Sequence, residues 1–436
     1  MLLTVGLLAL LIRCAVILFT RHSFALINDA SDYSRLGASI AAGHGFGVSH
    51  VAPGGGPTAL RPPAFPLLLG GIYFVVGVHI TAARLAAAVL GAVAAVLVTV
   101  LINQLSGDLR RSMVGGVLAA VYPPMVIAST SVMSEGLFVP LSLGVMAAAL
   151  AHRRDGRARW LAISGLLLGC ATLTRPVGAV LALPAAMIAF TGRRRARRPL
   201  LAGLIAGCLA LAPCAAWEIR DVAVLHHVVP LTTQSGYLLS GTYNATSAHY
   251  RPQPGVWMVP TVDPTIRRIV AAHPHAREVR LGDVVQSAAL RYLAHHPAYI
   301  LTVLGHNLLR LADITGLSFA KAVVHGEFGY GALAGVLEYV SALVMLALAA
   351  LGLAGGGARG WPAGMWLAPL LLVVVTIPVQ SYSRFRAPID PYLVMLASAA
   401  LTSRFGRAPV SGFQSLPGDQ RSGRRRRATQ ITHRLS

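Results

Sequence analysis

Charged side chains are scarce in this sequence. Only 12% of its 436 residues are Asp, Glu, Lys or Arg, whereas charged residues make up about 25% of a soluble domain. Acidic residues are especially few, with 15 Asp and Glu against 37 Lys and Arg, while 55% of the chain is apolar. A soluble fold cannot bury so much apolar surface. The composition therefore predicts an all-α polytopic membrane protein, because helices satisfy their own backbone hydrogen bonds in lipid.

Cysteine is also scarce, and its positions favour small apolar residues inside spans over a thiolate metal site. The four cysteines lie inside apolar runs, and none has C-x-x-C spacing. The histidines form neither an H-x-x-x-H nor an H-E-x-x-H pattern. No metal ligands can be named from these patterns, although a divalent metal ion stays open as a cofactor.

The positive charge is almost entirely arginine and is concentrated between apolar runs. Lys321 is the sole lysine. Basic residues in short connections mark cytoplasmic loops, which favours a bilayer and not nucleic acid as the partner of this charge. The basic clusters are Arg110-Arg111, Arg153-Arg154, Arg193 to Arg198 and Arg424 to Arg427.

The apolar runs predict about ten membrane spans, with both chain ends cytoplasmic. A helix needs roughly 20 apolar residues to cross a bilayer. We treat Pro66–Val78 as a partly embedded helix, because a full crossing there would place Arg110-Arg111 outside. The predicted spans are Leu2–Thr20, Thr81–Gln104, Met113–Ala128, Glu135–Ala151, Trp160–Leu173, Gly178–Phe190, Leu200–Trp217, Ala332–Leu353, Met365–Gln380 and Tyr392–Leu401.

This topology leaves two large loops on the outer side, at about 21–80 and 218–331. The spans and loops together form one predicted domain over residues 1–403. Residues 404–436 are rich in Arg, Ser and Gly and lack apolar periodicity, which predicts a basic, disordered cytoplasmic tail.

The first outer loop carries an acidic pair beside a short amphipathic helix. Tyr33, Leu36, Gly37 and Ile40 recur at helical spacing. Asp29 comes just before the predicted start of this helix, and Asp32 follows it closely. One interpretation is catalytic; the alternative is that Asp29, Asp32 or Ser31 caps the helix.

A series of motifs, in order along the chain, resembles the GT-C superfamily of membrane glycosyltransferases. The nearest likeness is to bacterial relatives of protein O-mannosyltransferases and of the lipid A aminoarabinose transferase. The motifs are D-A-x-x-Y at Asp29 to Tyr33, G-x-G-F at Gly43 to Phe46, R-P-P-x-F-P at Arg61 to Pro66, Ser134-Glu135, the stretch from Gly165 to Pro176, Trp217 to Asp221, and Ser383 to Pro388 with Pro391.

The resemblance implies a multi-span fold with its active site at the outer face. It implies a polyprenyl-phosphate sugar donor, an acceptor hydroxyl and transfer with inversion. The aspartate of the first loop would be the base, which is Asp29 here, with Asp32 as the second choice. It also implies a bacterial inner membrane, with the site facing the periplasm.

Arginines on the predicted outer side suit the donor phosphate, because a guanidinium matches phosphate oxygens. The alternative is that they anchor helix ends at the lipid headgroups. Glu135 could orient the acceptor, or simply complement the helix dipole. The predicted phosphate-binding residues are Arg384, Arg386, Arg220, Arg175 and Arg61, and the predicted substrate-lining residues are Tyr33 and Tyr243.

Two other functions compete with sugar transfer to a simple acceptor. A transporter or flippase of a lipid-linked sugar would also need a basic surface around an anionic lipid. A lipid-linked oligosaccharide polymerase or ligase would use the same donor chemistry. The acceptor could be a protein hydroxyl, a cell-wall glycan or a glycolipid.

Overall fold

The computed structural model describes residues 1–47, 56–192 and 198–403, and these residues form helices and no strands. Residues 193–197 of the basic cluster from Arg193 to Arg198, and the whole predicted tail from 404 to 436, lie outside this described part. The all-helical architecture is therefore confirmed for the part of the chain that carries the predicted domain.

The N-terminal helices are one long apolar helix and two shorter ones. The third begins directly after Pro63 and ends at Val76, and the following Gly77 has a φ of 81°, a conformation that glycine adopts without strain. Their bounds are α1 Leu2–Phe19, α2 Asn28–Ala41 and α3 Ala64–Val76.

The next helices follow the predicted spans, with two interruptions at prolines. The predicted span 113–128 is two helices, because Pro123 has no N–H to continue the first. The predicted span 178–190 opens as a 3-10 helix, Pro176–Leu181. The α-helices are α4 Ile80–Ser106, α5 Leu109–Val121, α6 Pro123–Ala128, α7 Glu135–Asp155, α8 Ala158–Thr174, α9 Ala182–Phe190 and α10 Pro199–Leu225.

The second large loop is folded into short helices. Two of these helices are separated at Pro297. Apart from a 3-10 turn at Pro260–Val262, the helices of this loop are α11 Gln234–Thr242, α12 Ala245–His249, α13 Pro264–Ala271, α14 Glu278–His295, α15 Tyr299–Leu311 and α16 Leu317–Phe328.

The C-terminal helices are α17 Ala332–Ala354, α18 Ala363–Thr376, α19 Ser383–Arg386 and α20 Asp390–Ser403. Within the described residues, five helices are long and apolar enough to cross a membrane: α1, α4, α7, α10 and α17. Helices occupy all ten predicted span positions, but the shorter ones do not by themselves establish a crossing. The count of ten spans therefore stays a prediction.

Helices α7 and α10 show the two extremes of burial. Helix α7 buries side chains along nearly its whole length. Helix α10 buries only Ala202 and Asp221 among its 27 residues, and leaves large apolar side chains exposed, as expected for a helix that faces lipid. It packs on α8, where Gly165 and Gly169 allow close approach: a Cβ on Gly165 would lie 2.1 Å from the Ala206 carbonyl oxygen.

Candidate active site

Helix α2 carries the acidic pair of the first loop. It begins at Asn28, earlier than the periodicity indicated, so Asp29 lies in its first turn and not before it. No side chain caps the helix, whose N-cap position is Ile27; the capping alternative for Asp29 and Asp32 is therefore wrong. A carboxylate in the first turn is still favoured by the helix dipole.

Helix α2 lies directly against α3. A Cβ on Gly37 would lie 2.7 Å from the Cβ of Leu69, and one on Gly70 would lie 2.6 Å from Cγ2 of Ile40. The two glycines therefore permit the contact between the helices. Because α3 follows Arg61 closely in the chain, this contact also fixes the distance between Arg61 and the acidic pair.

Arg61 joins the two aspartates of α2. Its Nη2 donates hydrogen bonds to Oδ1 of Asp29 and, at 2.8 Å, to Oδ2 of Asp32. Asp32 is buried, whereas the Asp29 side chain is 20% exposed. Asp29 is therefore the carboxylate of this pair that a substrate can reach.

Arg384, on α19, connects three carboxylates from three other helices. Its Nε donates to Oε1 of Glu135 at 2.6 Å. Its Nη1 donates to Oδ2 of Asp29 at 2.7 Å and to Oε2 of Glu327 at 2.6 Å. The C-terminal part of the chain thereby meets the first loop, as the predicted site required.

Glu135 closes the network from the start of α7. Its side chain is fully buried, and Oε1 accepts hydrogen bonds from both Arg384 and Nη1 of Arg175. The turn after α8, which carries Arg175, is thus tied to α7. We call the connected residues the Asp29 cluster: Asp29, Asp32, Arg61, Glu135, Arg175, Glu327 and Arg384.

Each of the two arginines that bond to Asp29 has one terminal nitrogen without a hydrogen-bond partner among the described residues. Nη2 of Arg384 and Nη1 of Arg61 have no hydrogen-bond partner among residues 1–47, 56–192 and 198–403, and neither atom is fully buried. Each can therefore bind an anion without first breaking a contact. Two guanidinium groups with free N–H groups around one partly exposed carboxylate have the chemistry to bind an anion such as a phosphate next to that carboxylate.

The pKa values of the two partly exposed carboxylates of the cluster, Asp29 and Glu327, are shifted in opposite directions. Burial disfavours the charged form of Asp29, but Arg61 and Arg384 outweigh burial and lower its pKa below the ordinary value. For Glu327, burial is the largest influence and, together with the charge of Asp29, raises the pKa despite Arg384. Asp29 is therefore ionised at neutral pH, and Glu327 holds a proton more readily.

Tyr33 lies at the edge of the cluster. Its hydroxyl donates to Oγ of Ser134 at 3.3 Å, and the guanidinium carbon of Arg61 lies 5.6 Å from its ring centroid. Its ring also packs edge-on against Phe65. The predicted substrate-lining position of Tyr33 thus lies beside Arg61.

Arg386 lies in a separate buried cluster. Its side chain is 2% exposed, and it donates to carboxylates of Asp313, Glu338 and Asp390, as well as to the Leu311 carbonyl oxygen. The bonds to Glu338 and Asp390 measure 2.9 and 2.8 Å. Arg384 and Arg386 therefore face different surroundings, although the sequence grouped them.

Two other predicted site residues make their contacts away from the Asp29 cluster. Arg220 donates to the carbonyl oxygens of Thr58 and Phe46 and to Asp221. Tyr243 is buried, and its hydroxyl donates to the Pro378 carbonyl oxygen at 2.5 Å. No described hydrogen bond or ion pair joins either residue to the Asp29 cluster.

Comparison with known proteins adds two observations. Residues 60–217, which include Arg61, Glu135 and Arg175, match the family described as dolichyl-phosphate-mannose-protein mannosyltransferase. The oligosaccharyltransferase AglB from Archaeoglobus fulgidus, solved with an inhibitory peptide and a dolichol-phosphate, is 14% identical, with a TM-score of 0.54 over 93% of this chain. The fold is that of the GT-C membrane glycosyltransferases. The chain spans half of the length of AglB.

A second solved structure is ArnT from Cupriavidus metallidurans bound to undecaprenyl phosphate. It is 15% identical, with a TM-score of 0.42, over 92% of this chain and 77% of ArnT. No curated protein sequence matches the chain. The GT-C resemblance drawn from the motifs is confirmed at the level of fold, and the family match covers a limited segment.

One member of the Asp29 cluster escaped the sequence motifs, namely Glu327. It lies on α16, outside every recognised motif, yet it contacts Arg384. No sequence signal singled it out, because nine of the 15 acidic residues fall in the two predicted outer loops. Within the described residues, no three His, Cys, Asp or Glu side chains are grouped so that they could hold a metal ion.

Proposed function

We propose that this protein is a GT-C-type glycosyltransferase that moves a sugar from a polyprenyl-phosphate donor to an acceptor hydroxyl. The observation that carries the proposal is the position of Asp29 between Arg61 and Arg384. Each of these arginines bonds to Asp29 and keeps one free terminal nitrogen. A base and a phosphate site are thus adjacent, as glycosyl transfer from a lipid phosphate requires.

In the proposed reaction the acceptor oxygen attacks the anomeric carbon of the donor sugar. The bond from that carbon to the phosphate oxygen breaks, and the anomeric configuration inverts. Asp29 accepts the proton of the acceptor hydroxyl, while the leaving phosphate takes both electrons of the broken bond. General base catalysis of this kind contributes about 10²–10⁴-fold to a rate.

The arginines stabilise the charge that develops on the leaving phosphate. Free N–H groups of Arg61 and Arg384 would bind phosphate oxygens directly, and charge-assisted bonds of this type are about twice as strong as neutral ones. Because these groups are already held by carboxylates, they need little reorganisation when the charge appears. Arg175 would contribute from the side of Glu135.

The remaining predicted residues receive separate roles in this proposal. Asp32 and Glu135 position Arg61 and Arg384, because both acids are buried and bonded to those arginines. Tyr33 would line the substrate site. Arg386, first assigned to the donor phosphate, is instead a structural residue, since carboxylates occupy it. We assign Arg220 and Tyr243 to folding of the outer loops.

The arginine distribution and the apolar helices support a proposal for the membrane location of the site and the side of the membrane that it faces. We place the Asp29 cluster at the outer face of a bacterial inner membrane, with about ten spans and both chain ends cytoplasmic. The acceptor would be a protein, glycan or glycolipid hydroxyl on that side. The spans and outer loops would act as one domain over residues 1–403.

A reconstituted assay tests this function. Purified full-length protein in liposomes is given a panel of polyprenyl-phosphate sugars and candidate acceptors, and new glycosidic bonds are measured with their anomeric configuration. Wild type should consume one donor with inversion, and Asp29→Asn should lose at least about 100-fold in rate. The matched control is Asp283→Asn, an exposed aspartate of α14, which should retain the wild-type rate.

The outcomes separate the competing functions. Undiminished transfer by Asp29→Asn would remove Asp29 as the base. Movement of the lipid-linked sugar across the bilayer without a new glycosidic bond would favour the transporter. Transfer onto a second lipid-linked glycan would favour the polymerase or ligase.

A further inference from the structure

Glu327 shares one nitrogen of Arg384 with Asp29. Nη1 of Arg384 lies 2.7 Å from Oδ2 of Asp29 and 2.6 Å from Oε2 of Glu327. The other carboxylate oxygen of Glu327 accepts a hydrogen bond from the Tyr382 hydroxyl at 3.1 Å. The Glu327 side chain is 19% exposed, close to the 20% of Asp29. Both carboxylates are therefore partly exposed and bonded to the same nitrogen of Arg384.

We propose that Glu327 is a positioning residue for the proposed transfer: its carboxylate competes with Asp29 for Arg384 and so keeps Asp29 basic enough to accept a proton. This inference rests on the proposed function, because it assigns a role within that site. Glu327 acts through Arg384 and does not itself take the acceptor proton.

The competition has a direct electrostatic basis. A carboxylate held by two guanidinium groups is a weak base, because both cations favour its charged form. A second carboxylate on Nη1 divides the attraction of that nitrogen and adds a negative charge near Asp29. Both effects increase the proton affinity of Asp29. The same negative charge also opposes an incoming phosphate, so Glu327 should speed transfer while weakening donor binding.

The surroundings of Glu327 determine how pH acts on this competition. The charged and titratable groups that face it are Asp29 from α2, with Arg384 and Tyr382 from the segment of α19. On α16 itself, His325 bonds to the Tyr330 carbonyl oxygen. From α17, no charged group has a described contact with Glu327. Arg384 is thus its one described cationic partner.

The pH dependence follows from the sign of the Glu327 shift. Its pKa is raised, so as the pH falls Glu327 is protonated before Asp29. Neutral Glu327 no longer attracts Nη1 of Arg384 as a charge, so Arg384 then binds Asp29 more strongly. Over that range the turnover number should fall while the affinity for the lipid phosphate rises. A purely structural glutamate would not move these two quantities in opposite directions.

The test compares Glu327→Gln with wild type in full-length protein in nanodiscs. Binding of undecaprenyl phosphate is measured directly, and turnover is measured with whichever donor wild type consumes, both across pH. Glu327→Gln should bind undecaprenyl phosphate more tightly, turn over about tenfold more slowly, and lose the acidic limb of the turnover profile. Glu327→Asp should recover part of the rate, because it restores the charge.

Tyr382→Phe is the matched control, since it removes the other described hydrogen bond to Glu327 and keeps the carboxylate. It should leave the affinity for undecaprenyl phosphate close to that of wild type. Unchanged or weaker binding by Glu327→Gln would overturn the proposal, as would an acidic limb that survives in this variant. If wild type transfers no sugar, the proposed function fails, and the binding comparison alone still decides whether Glu327 competes for Arg384.

Discussion

Arg384 and Asp29 are separated by 355 positions in the chain, and their side chains meet at 2.7 Å. One comes from the short helix α19 and the other from the first turn of α2. The contact therefore exists only when the first loop and the C-terminal helices are both in place. A substitution that disturbs the packing between these two parts of the chain should therefore change the site, even if it replaces no site residue.

Replacing Arg384 with Lys should show whether the shape of the cation matters or only its charge. A guanidinium can bond to three carboxylates in a fixed plane, whereas an ammonium is a compact point charge. We expect Arg384→Lys to keep the fold and to lose at least about tenfold in turnover, with weaker binding of undecaprenyl phosphate. Steady-state kinetics and direct lipid binding measure both effects. Wild-type values for both would contradict the proposed role.

Arg386 should behave differently from Arg384. Its removal leaves the carboxylates of Asp313, Glu338 and Asp390 buried without their shared cation. Breaking a buried ion pair from one side costs about 3–5 kcal/mol. We expect Arg386→Gln to lower the unfolding midpoint in detergent by much more than Arg384→Gln does. If any folded Arg386→Gln protein is recovered, it should bind undecaprenyl phosphate as wild type does; a selective loss of binding would return Arg386 to the phosphate site.

Arg384 and Arg386 also show which features of the site could be predicted from the sequence and which could not. The motif predicted both as phosphate ligands, yet residues two apart on a helix do not face the same side. That rule indicates that at most one of them faces the cluster, but not which one. Asp29, Glu135, Arg61 and Arg175 were predicted from motifs and are joined in one network. Glu327 could not be predicted, because its contact depends on how α16 packs against α2 and α19.

The positions of the membrane spans could be predicted from the sequence. Apolar runs determine which residues form the membrane helices, so helices appear at every predicted span position. The break before Pro123 was also available from the sequence, since proline lacks an N–H. The start of α2 at Asn28 was not, because the residues before Tyr33 carry no apolar periodicity and are held by tertiary contacts. One such contact is the hydrogen bond from Asn28 to the Gly326 carbonyl oxygen.

The ionisation of Asp29 should appear in the stability of the protein as a function of pH. Its pKa is lowered in the folded state by Arg61 and Arg384, against the effect of burial. This stabilisation is present above the ordinary carboxyl pKa and is lost as the pH falls towards the folded pKa. The difference in unfolding midpoint between wild type and Asp29→Asn should therefore stay nearly constant from pH 7 down to about pH 4 and shrink as the pH is lowered further. A difference that also stays constant below about pH 4 would mean that Asp29 gains nothing from its arginines.

The contact between α2 and α3 should control the site from a distance. A Cβ on Gly70 would lie 2.6 Å from Cγ2 and 2.9 Å from Cβ of Ile40, so neither atom could stay in place. We expect Gly70→Val to cost about 1–3 kcal/mol through overpacking. It should also reduce transfer, because moving α2 moves Asp29 relative to Arg384.

Gly71 is the matched control for this substitution. It is on the same helix, is exposed, and a Cβ there would meet no described atom within 4 Å. Gly71→Val should therefore keep the unfolding midpoint and transfer rate of wild type. Ile40→Ala combined with Gly70→Val should recover part of both, because it removes Cγ2, the nearer of the two clashing atoms, and leaves only Cβ. Equal losses in the two valine variants would show a general effect of valine on α3. In that case the position of Asp29 would not depend on the contact between Gly70 and Ile40.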